Sequence, residues 1–235
     1  MTEGRPWGAP TDSDPPRPSR RAVEPAFNFR WREAWGLALL LALIGATFAG
    51  QLLLRGGLGQ PNLETLGALS RGTLAEGWWW TPFTAMFMHA GLLHLGMNLS
   101  AMIPFGLILA RRFGPSARGQ LAFIAFYLVA GLAGDAVYLA LQPDPYALMV
   151  GASGAIFGLW GGVMRLGRDG TLSPAFSPQV LRQLGGPIVA NVIVVLAFGL
   201  SGGGIAWQAH LGGFLVGWLG LGLFLHGRSG VSRGS

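Results

Sequence analysis

The chain has 235 residues, of which 51% are hydrophobic and 11% charged, with a mean hydropathy of +0.47; soluble domains carry about 25% charged residues, so the composition points to a bilayer. Cysteine is absent, which excludes disulfides, thiol catalysis and thiolate metal sites. The net charge of +6 comes from sixteen arginines without a lysine, and because they are scattered along the chain they read as membrane topology and not as a nucleic-acid surface.

Residues 1–30 are rich in proline, arginine and aspartate. They hold no apolar stretch of about 7–15 residues such as a signal peptide carries, so they read as a disordered tail that stays in the cytoplasm. Beyond them, runs of about 20 apolar residues predict six spans, at 35–54, 93–110, 121–141, 150–164, 187–200 and 207–225. The expected fold is an all-α polytopic membrane protein with a six-span core over 31–228 and a short cytoplasmic tail at 229–235. Several spans are short and rich in glycine, which suits close helix–helix packing.

The arginines test this count. Arg20, Arg21, Arg30 and Arg32 precede the first span, and Arg111, Arg112 and Arg118 separate the second from the third. Arg165, Arg168 and Arg182 follow the fourth, and Arg228 and Arg233 follow the sixth. With six spans all of these fall on one face, and the opposite face receives Arg55 and Arg71. The positive-inside rule then puts both ends of the chain in the cytoplasm, with a bacterial plasma membrane as the expected location. The loop from Arg55 to Met88 is too long for a simple connection. Its "AEGWWWTPF" carries three adjacent tryptophans of the kind enriched at the membrane–water interface, so it is expected to be partly structured at the outer surface.

Polar side chains inside spans are costly and are functional suspects. Here they are His89, His94, Asn98, Asp135, Ser153 and His210. On the six-span topology His94, Asn98, Ser153 and His210 start their spans from the outer face, so three segments bring polar groups to a similar depth. The set suits nucleophilic acyl transfer. A serine hydroxyl needs a base to take its proton, and histidine is the usual one near neutral pH. His94 and Asn98, four residues apart, share a helix face and can donate to an oxyanion. Each group also has a plain structural reading: Ser153 bonded back to the Met149 carbonyl, the histidines packed at the interface, the glycines forming a seam. A metal site is not indicated, because His89 and His94 are five apart and paired helical zinc ligands are four apart. No cofactor is implied.

These residues resemble the rhomboid family of intramembrane serine proteases. "HAGLLHLGMN" (His89, His94, Asn98) matches the family's HxxxxHxxxN pattern, and "GASGAIFG", from Gly151 to Gly158, matches GxSGxxxG. "AHLGGFLVG" matches the histidine and GxxxG seam of the sixth span, here His210, Gly213 and Gly217. The likeness runs from about Trp31 to Arg228. It implies a rhomboid-like six-helix bundle in which Ser153 is the nucleophile and His210 its base, a dyad that needs no acid. It further implies oxyanion stabilisation by His94, Asn98 and the Ser153 backbone N–H, with Phe157 stacked near His210. His89, Gly151 and Gly154 would support the site, and the substrates would be transmembrane proteins in the lipid bilayer.

Two positions depart from the family pattern. Trp80-Thr81 stands where a Trp-Arg pair is common, and Ala110 stands where the second span often ends in an acid; loop anchoring and stability are the properties these touch. Asp135 has no place in the pattern, and is either a third member orienting His210 or a packed polar residue. The competing functions are an inactive relative that binds transmembrane segments without cutting, and a small transporter. The transporter reading predicts related halves with broken spans, and the sequence holds no internal repeat.

Overall fold

The computed structural model describes residues 31–54, 62–167, 170–199 and 205–225. The tails expected at 1–30 and 229–235 lie outside the described residues, as do Arg55, Arg168 and the last residue of the fifth expected span. Among the described residues the chain is helical without a strand, and only two isolated bridges occur, Leu69 with Met149 and Leu166 with Leu172.

A short 3-10 turn, Trp31–Glu33, leads into α1, Trp35–Leu53. The long first loop then folds into α2 (Leu63–Gly67), α3 (Arg71–Ala75) and α4 (Thr81–Thr84). Local chemistry starts each of these. Asn62 caps α2 by accepting from the Thr65 N–H at 2.8 Å. Ser70 and Thr73 cap α3 reciprocally, each side chain accepting from the other's backbone N–H at 2.9 Å, so two donors of the first turn are satisfied. Arg71, which the sequence places on the arginine-poor face, donates to the carbonyls of Gln142 and Pro143 at 2.6 and 2.9 Å. It thereby ties the loop to the end of the helix Ala117–Leu141, where helix carbonyls lack partners.

The long helices follow as α5 (Leu92–Phe113), α6 (Ala117–Leu141), α7 (Ser153–Met164), the short α8 (Pro178–Leu181), α9 (Gly185–Gly199) and α10 (Trp207–Leu225). Among the described residues five stretches, namely α1, α5, α6, Pro178–Leu196 and α10, are long and apolar enough to cross a bilayer. The outer faces agree with that environment: Leu39, Leu43, Ile188, Val192 and Ile193 stand exposed, an arrangement that is costly in water and free of cost in lipid.

The fourth expected span differs from its helix. The apolar pattern begins at Val150, yet α7 begins at Ser153 and has 12 residues, about 18 Å at 1.5 Å per residue against a hydrocarbon core of about 30 Å. The reason is tertiary. Met149 exchanges two backbone hydrogen bonds with Leu69, at 2.8 and 2.9 Å, and the Gly151 N–H donates to Ala85 at 2.8 Å. Residues 149–151 are therefore pinned to the loop and unavailable to the helix. Gly151 makes the bend at a φ of +126°, a region that side-chain-bearing residues rarely enter.

α10 lies against α6 and α7 with almost nothing between the backbones. A Cβ placed at Gly213 would sit 1.9 Å from the Gly154 carbonyl oxygen, and one at Gly217 1.9 Å from that of Gly158. The approach is the one that small residues permit in membrane helices. At the opposite end the packing is by rings, with Phe113, Phe123, Phe126 and Tyr127 fully buried. Gln120 knits that end: it donates to the carbonyls of Ala110 and Gly114 at 2.8 Å and accepts from the Gly36 N–H at 3.0 Å. Arg165 closes the same end by donating to the Ser173 and Trp218 carbonyls, both at 2.6 Å.

Candidate active site

Ser153 is the first residue of α7, whereas the span expected from residue 150 places three residues ahead of it. That position matters physically. The first backbone N–H groups of a helix have no partner within it and carry the positive end of its dipole. The serine hydroxyl thus stands beside donors aimed at the same space. Its Oγ lies 2.8 Å from Nε2 of His210, in the first turn of α10. Two residues 57 apart in sequence meet because the Gly154–Gly213 approach lets α7 and α10 run nearly in contact.

The His210 ring is held on three sides. Phe157, one turn after Ser153, stacks on it with centroids 4.3 Å apart and planes inclined by 6°. Nε2 faces Ser153. Nδ1 lies 2.6 Å from Oδ1 of Asn191, on α9. Asp135 is the residue that the sequence suggests as a third member, and the structure puts Asn191 beside Nδ1 instead. Asp135 is buried on α6 and lines the same cavity, with its Oδ2 lacking a protein hydrogen-bond partner.

The second pair of residues comes from α5. The Ala90 N–H points at Nδ1 of His94 at 3.4 Å. A backbone N–H can only donate, so Nδ1 accepts and the ring proton sits on Nε2. That nitrogen lies on the side where Gly151 passes: a Cβ at Gly151 would come within 2.9 Å of it. The bare Gly151 backbone therefore leaves the His94 donor uncovered. Asn98 is buried one turn later, and its amide donates to the His94 carbonyl at 2.9 Å. The amide has a second N–H. Ser153, His210, His94, Asn98, Gly151, Gly154, Phe157 and Asp135 all line one cavity of about 850 Å³. His89 does not line it.

His89 lies behind, with its ring 5.2 Å from that of His94. Its backbone carbonyl accepts from Gln51 Nε2 at 2.9 Å and its N–H donates to Gln51 Oε1 at 3.0 Å, which fastens the segment before α5 to α1. Burial, and after it the neighbouring His94, hold the His89 imidazole down to about 4, against a smaller upward pull from the Phe87 carbonyl. Where the loop arginine is missing, other contacts hold the loop. The Trp80 ring N–H donates to the Leu66 carbonyl at 3.1 Å, and the Thr84 hydroxyl to that of Gly67 at 2.9 Å. Among the described residues no group of three or more His, Cys, Asp or Glu side chains is placed to hold a metal.

Asn191 and Gln51 were missed by sequence reading. Both are lone amides in apolar helices, a signal that intramembrane polar groups carry even when they do not ionise.

A family model described as "Rhomboid domain" matches residues 76–227. The chain is 33% identical over 162 residues to Rhomboid protease GluP of Bacillus subtilis, an alignment covering 68% of this chain and 29% of that protein. It is 29% identical over 237 residues to RHOMBOID-like protein 5 of Arabidopsis thaliana, covering 88% and 72%. With Rhomboid-like protease 3 of Toxoplasma gondii it shares 31% identity over 169 residues, covering 67% and 57%.

Proposed function

Because this chain belongs to the rhomboid family of multi-pass membrane proteins, we propose that it is an intramembrane serine endopeptidase. It hydrolyses peptide bonds in or near transmembrane segments of other membrane proteins. The observation that carries this reading is the 2.8 Å contact between Ser153 Oγ and His210 Nε2 inside a cavity lined by His94 and Asn98.

Each step assigns one task to each group. Ser153 Oγ attacks the scissile carbonyl carbon while its proton passes to His210 Nε2. The carbonyl oxygen becomes an oxyanion, met by the Ser153 backbone N–H, His94 Nε2–H and the second amide N–H of Asn98. The C–N bond then breaks, and His210 returns the proton to the departing amine. A water attacks the acyl-serine with His210 again as base, releasing the acid and restoring the hydroxyl. Gly151 and Gly154 supply clearance, Phe157 holds the imidazole plane, and His89 braces His94 from behind. The arginine asymmetry supports an outer-face site, with the arginine-rich ends of the core, 31–228, in the cytoplasm.

The test is detergent-purified protein incubated with a serine-reactive fluorophosphonate and with a transmembrane reporter. Wild type should label and cut, and Ser153→Ala should do neither. A wild type that neither labels nor cuts would leave this chain as a binder of transmembrane segments, the competing reading.

A further inference from the structure

A neutral imidazole carries one proton on one of two nitrogens. In a Ser–His pair the choice is decisive: with the proton on Nε2 the ring can only donate toward the serine and cannot accept from it. Here Nε2 is 2.8 Å from Ser153 Oγ, and Nδ1 is 2.6 Å from Asn191 Oδ1. We propose that Asn191 is a positioning residue, whose side-chain carbonyl holds the proton on Nδ1 and so keeps Nε2 free to act as the base. The inference rests on the peptidase reading above and goes beyond the dyad.

Three observations support it. First, α9 reads "GGPIVANVIVVLAFG", and Asn191 is its one side chain with a hydrogen-bonding group. Its neighbours Ile188, Val189, Val192 and Ile193 are 50–61% exposed, as lipid-facing residues are. An amide in such a helix is costly without a partner, and its partner is His210. Second, Phe157 already fixes the plane of the ring, so what remains to be set is which nitrogen is protonated. Third, neither His94 nor Asp135, which line the same cavity as His210, takes part at Nδ1. His94 is turned toward Ala90 by its own Nδ1, and Asp135 Oδ2 makes no protein hydrogen bond. An amide also suits the setting better than a carboxylate. It accepts the Nδ1 proton as an acid does in soluble hydrolases, but brings no charge into an apolar bundle.

The amide geometry adds a constraint. Were the Asn191 NH2 turned toward the ring, Nδ1 would have to accept and the proton would move to Nε2. The hydroxyl of Ser153 would then face a donor. Only the orientation with the carbonyl toward Nδ1, the one this structure has, leaves a base for the serine.

The experiment uses the full chain in detergent with three forms: wild type, Asn191→Leu and Asn191→Asp. Leucine keeps the branched shape of the side chain but removes the acceptor; aspartate keeps an acceptor at that place. Asn191→Leu should lower the fluorophosphonate labelling rate and the kcat for a transmembrane reporter about tenfold, as expected for one lost orienting hydrogen bond. KM and melting temperature should not move. Asn191→Asp should label and cut faster than Asn191→Leu. In parallel, the 15N shifts of the His210 ring should report protonated Nδ1 in wild type and a mixture of tautomers in Asn191→Leu. Wild-type labelling by Asn191→Leu, or a loss shared by both variants with a lower melting temperature, would overturn the inference. If wild type itself is inert, the peptidase reading fails. The ring shifts then still decide whether Asn191 sets the tautomer, and a ring already protonated on Nε2 in wild type refutes it.

Discussion

On the α7 side, α10 is held backbone against backbone; on the α9 side, at the level of His210, it is held by one amide. Gly213 and Gly217 lie so near Gly154 and Gly158 that a methyl group has no room, and this contact sets the Ser153–His210 distance with no side chain involved. The Asn191 contact is a single hydrogen bond from a helix whose surrounding residues are largely exposed. The first arrangement fixes position and the second selects a protonation state. Position needs a rigid contact, because an acyl transfer loses much of its rate for displacements of about 1 Å. Choosing a tautomer needs only one acceptor in the right place.

The largest effect is expected where the backbone contact is broken. Gly213→Val drives a branched side chain onto the Gly154 carbonyl, and the neighbour that would have to give is backbone. Overpacking of this kind costs about 1–3 kcal/mol or more. Activity should fall to background and the melting temperature should drop. Gly45, on α1, is the control: nothing lies within 4 Å of a Cβ there. Gly45→Ala should keep full activity and gain up to about 1 kcal/mol from helix propensity. Equal losses at both positions would mean that the seam has no special role.

A smaller loss is expected at the side-chain-built part of the site. On the proposed mechanism Asn98→Ala removes one oxyanion donor, a change that typically costs about 100- to 1,000-fold in kcat. KM for the reporter and the melting temperature should stay near wild type, since the donor is needed most when charge develops on the oxygen. A variant that loses affinity but keeps kcat would place Asn98 in substrate binding instead.

His89 gives a pH test of the bracing behind that donor. Its folded value lies near 4, while in the unfolded chain a histidine titrates near about 6.5. Between these values the unfolded state holds a proton that the folded state lacks, so stability falls as pH drops through the window and levels off below it. The melting temperature of His89→Gln should therefore depend less on pH between about 6.5 and 4 than that of wild type. Parallel curves for the two proteins would show that His89 is not kept neutral by its surroundings.

What was legible in the sequence followed from cost. Ser153, His210, His94 and Asn98 stood out because polar groups in apolar spans need a reason, and glycine at 213 and 217 because a small-residue repeat leaves few other uses. Less visible were features that depend on partners distant in the chain. The α7 start at Ser153 is set by Leu69 and Ala85, which no local pattern at 149–152 could reveal. Gln51, Gln120 and Asn191 stand in no motif, so nothing local marks them, yet Gln51 ties α1 to the segment before α5, Gln120 ties α6 to α1 and α5, and Asn191 ties α9 to α10. Ala110 shows the same point in reverse. An acid is missing there, and the Ala110 carbonyl is met by Gln120 from α6.

The smallest effect is expected at Asp135, and it is the result that separates the two accounts of the His210 environment. Asp135 is buried in the wall of the cavity, and one of its carboxyl oxygens has no protein partner. If it oriented His210 as the acid of a triad, Asp135→Asn would remove that role and kcat would collapse while the fold stayed intact. Nδ1 is instead bonded to Asn191, so Asp135→Asn should leave the labelling rate and kcat close to wild type. Stability should hold or rise, because an isolated carboxyl group in an apolar bundle is costly and an amide of the same shape is less so. The informative comparison is with Asn191→Leu in the same assay. A loss at 191 with none at 135 puts the control of the base on α9. A loss at 135 with none at 191 returns it to α6, and the contact between Asn191 and His210 would then be packing alone.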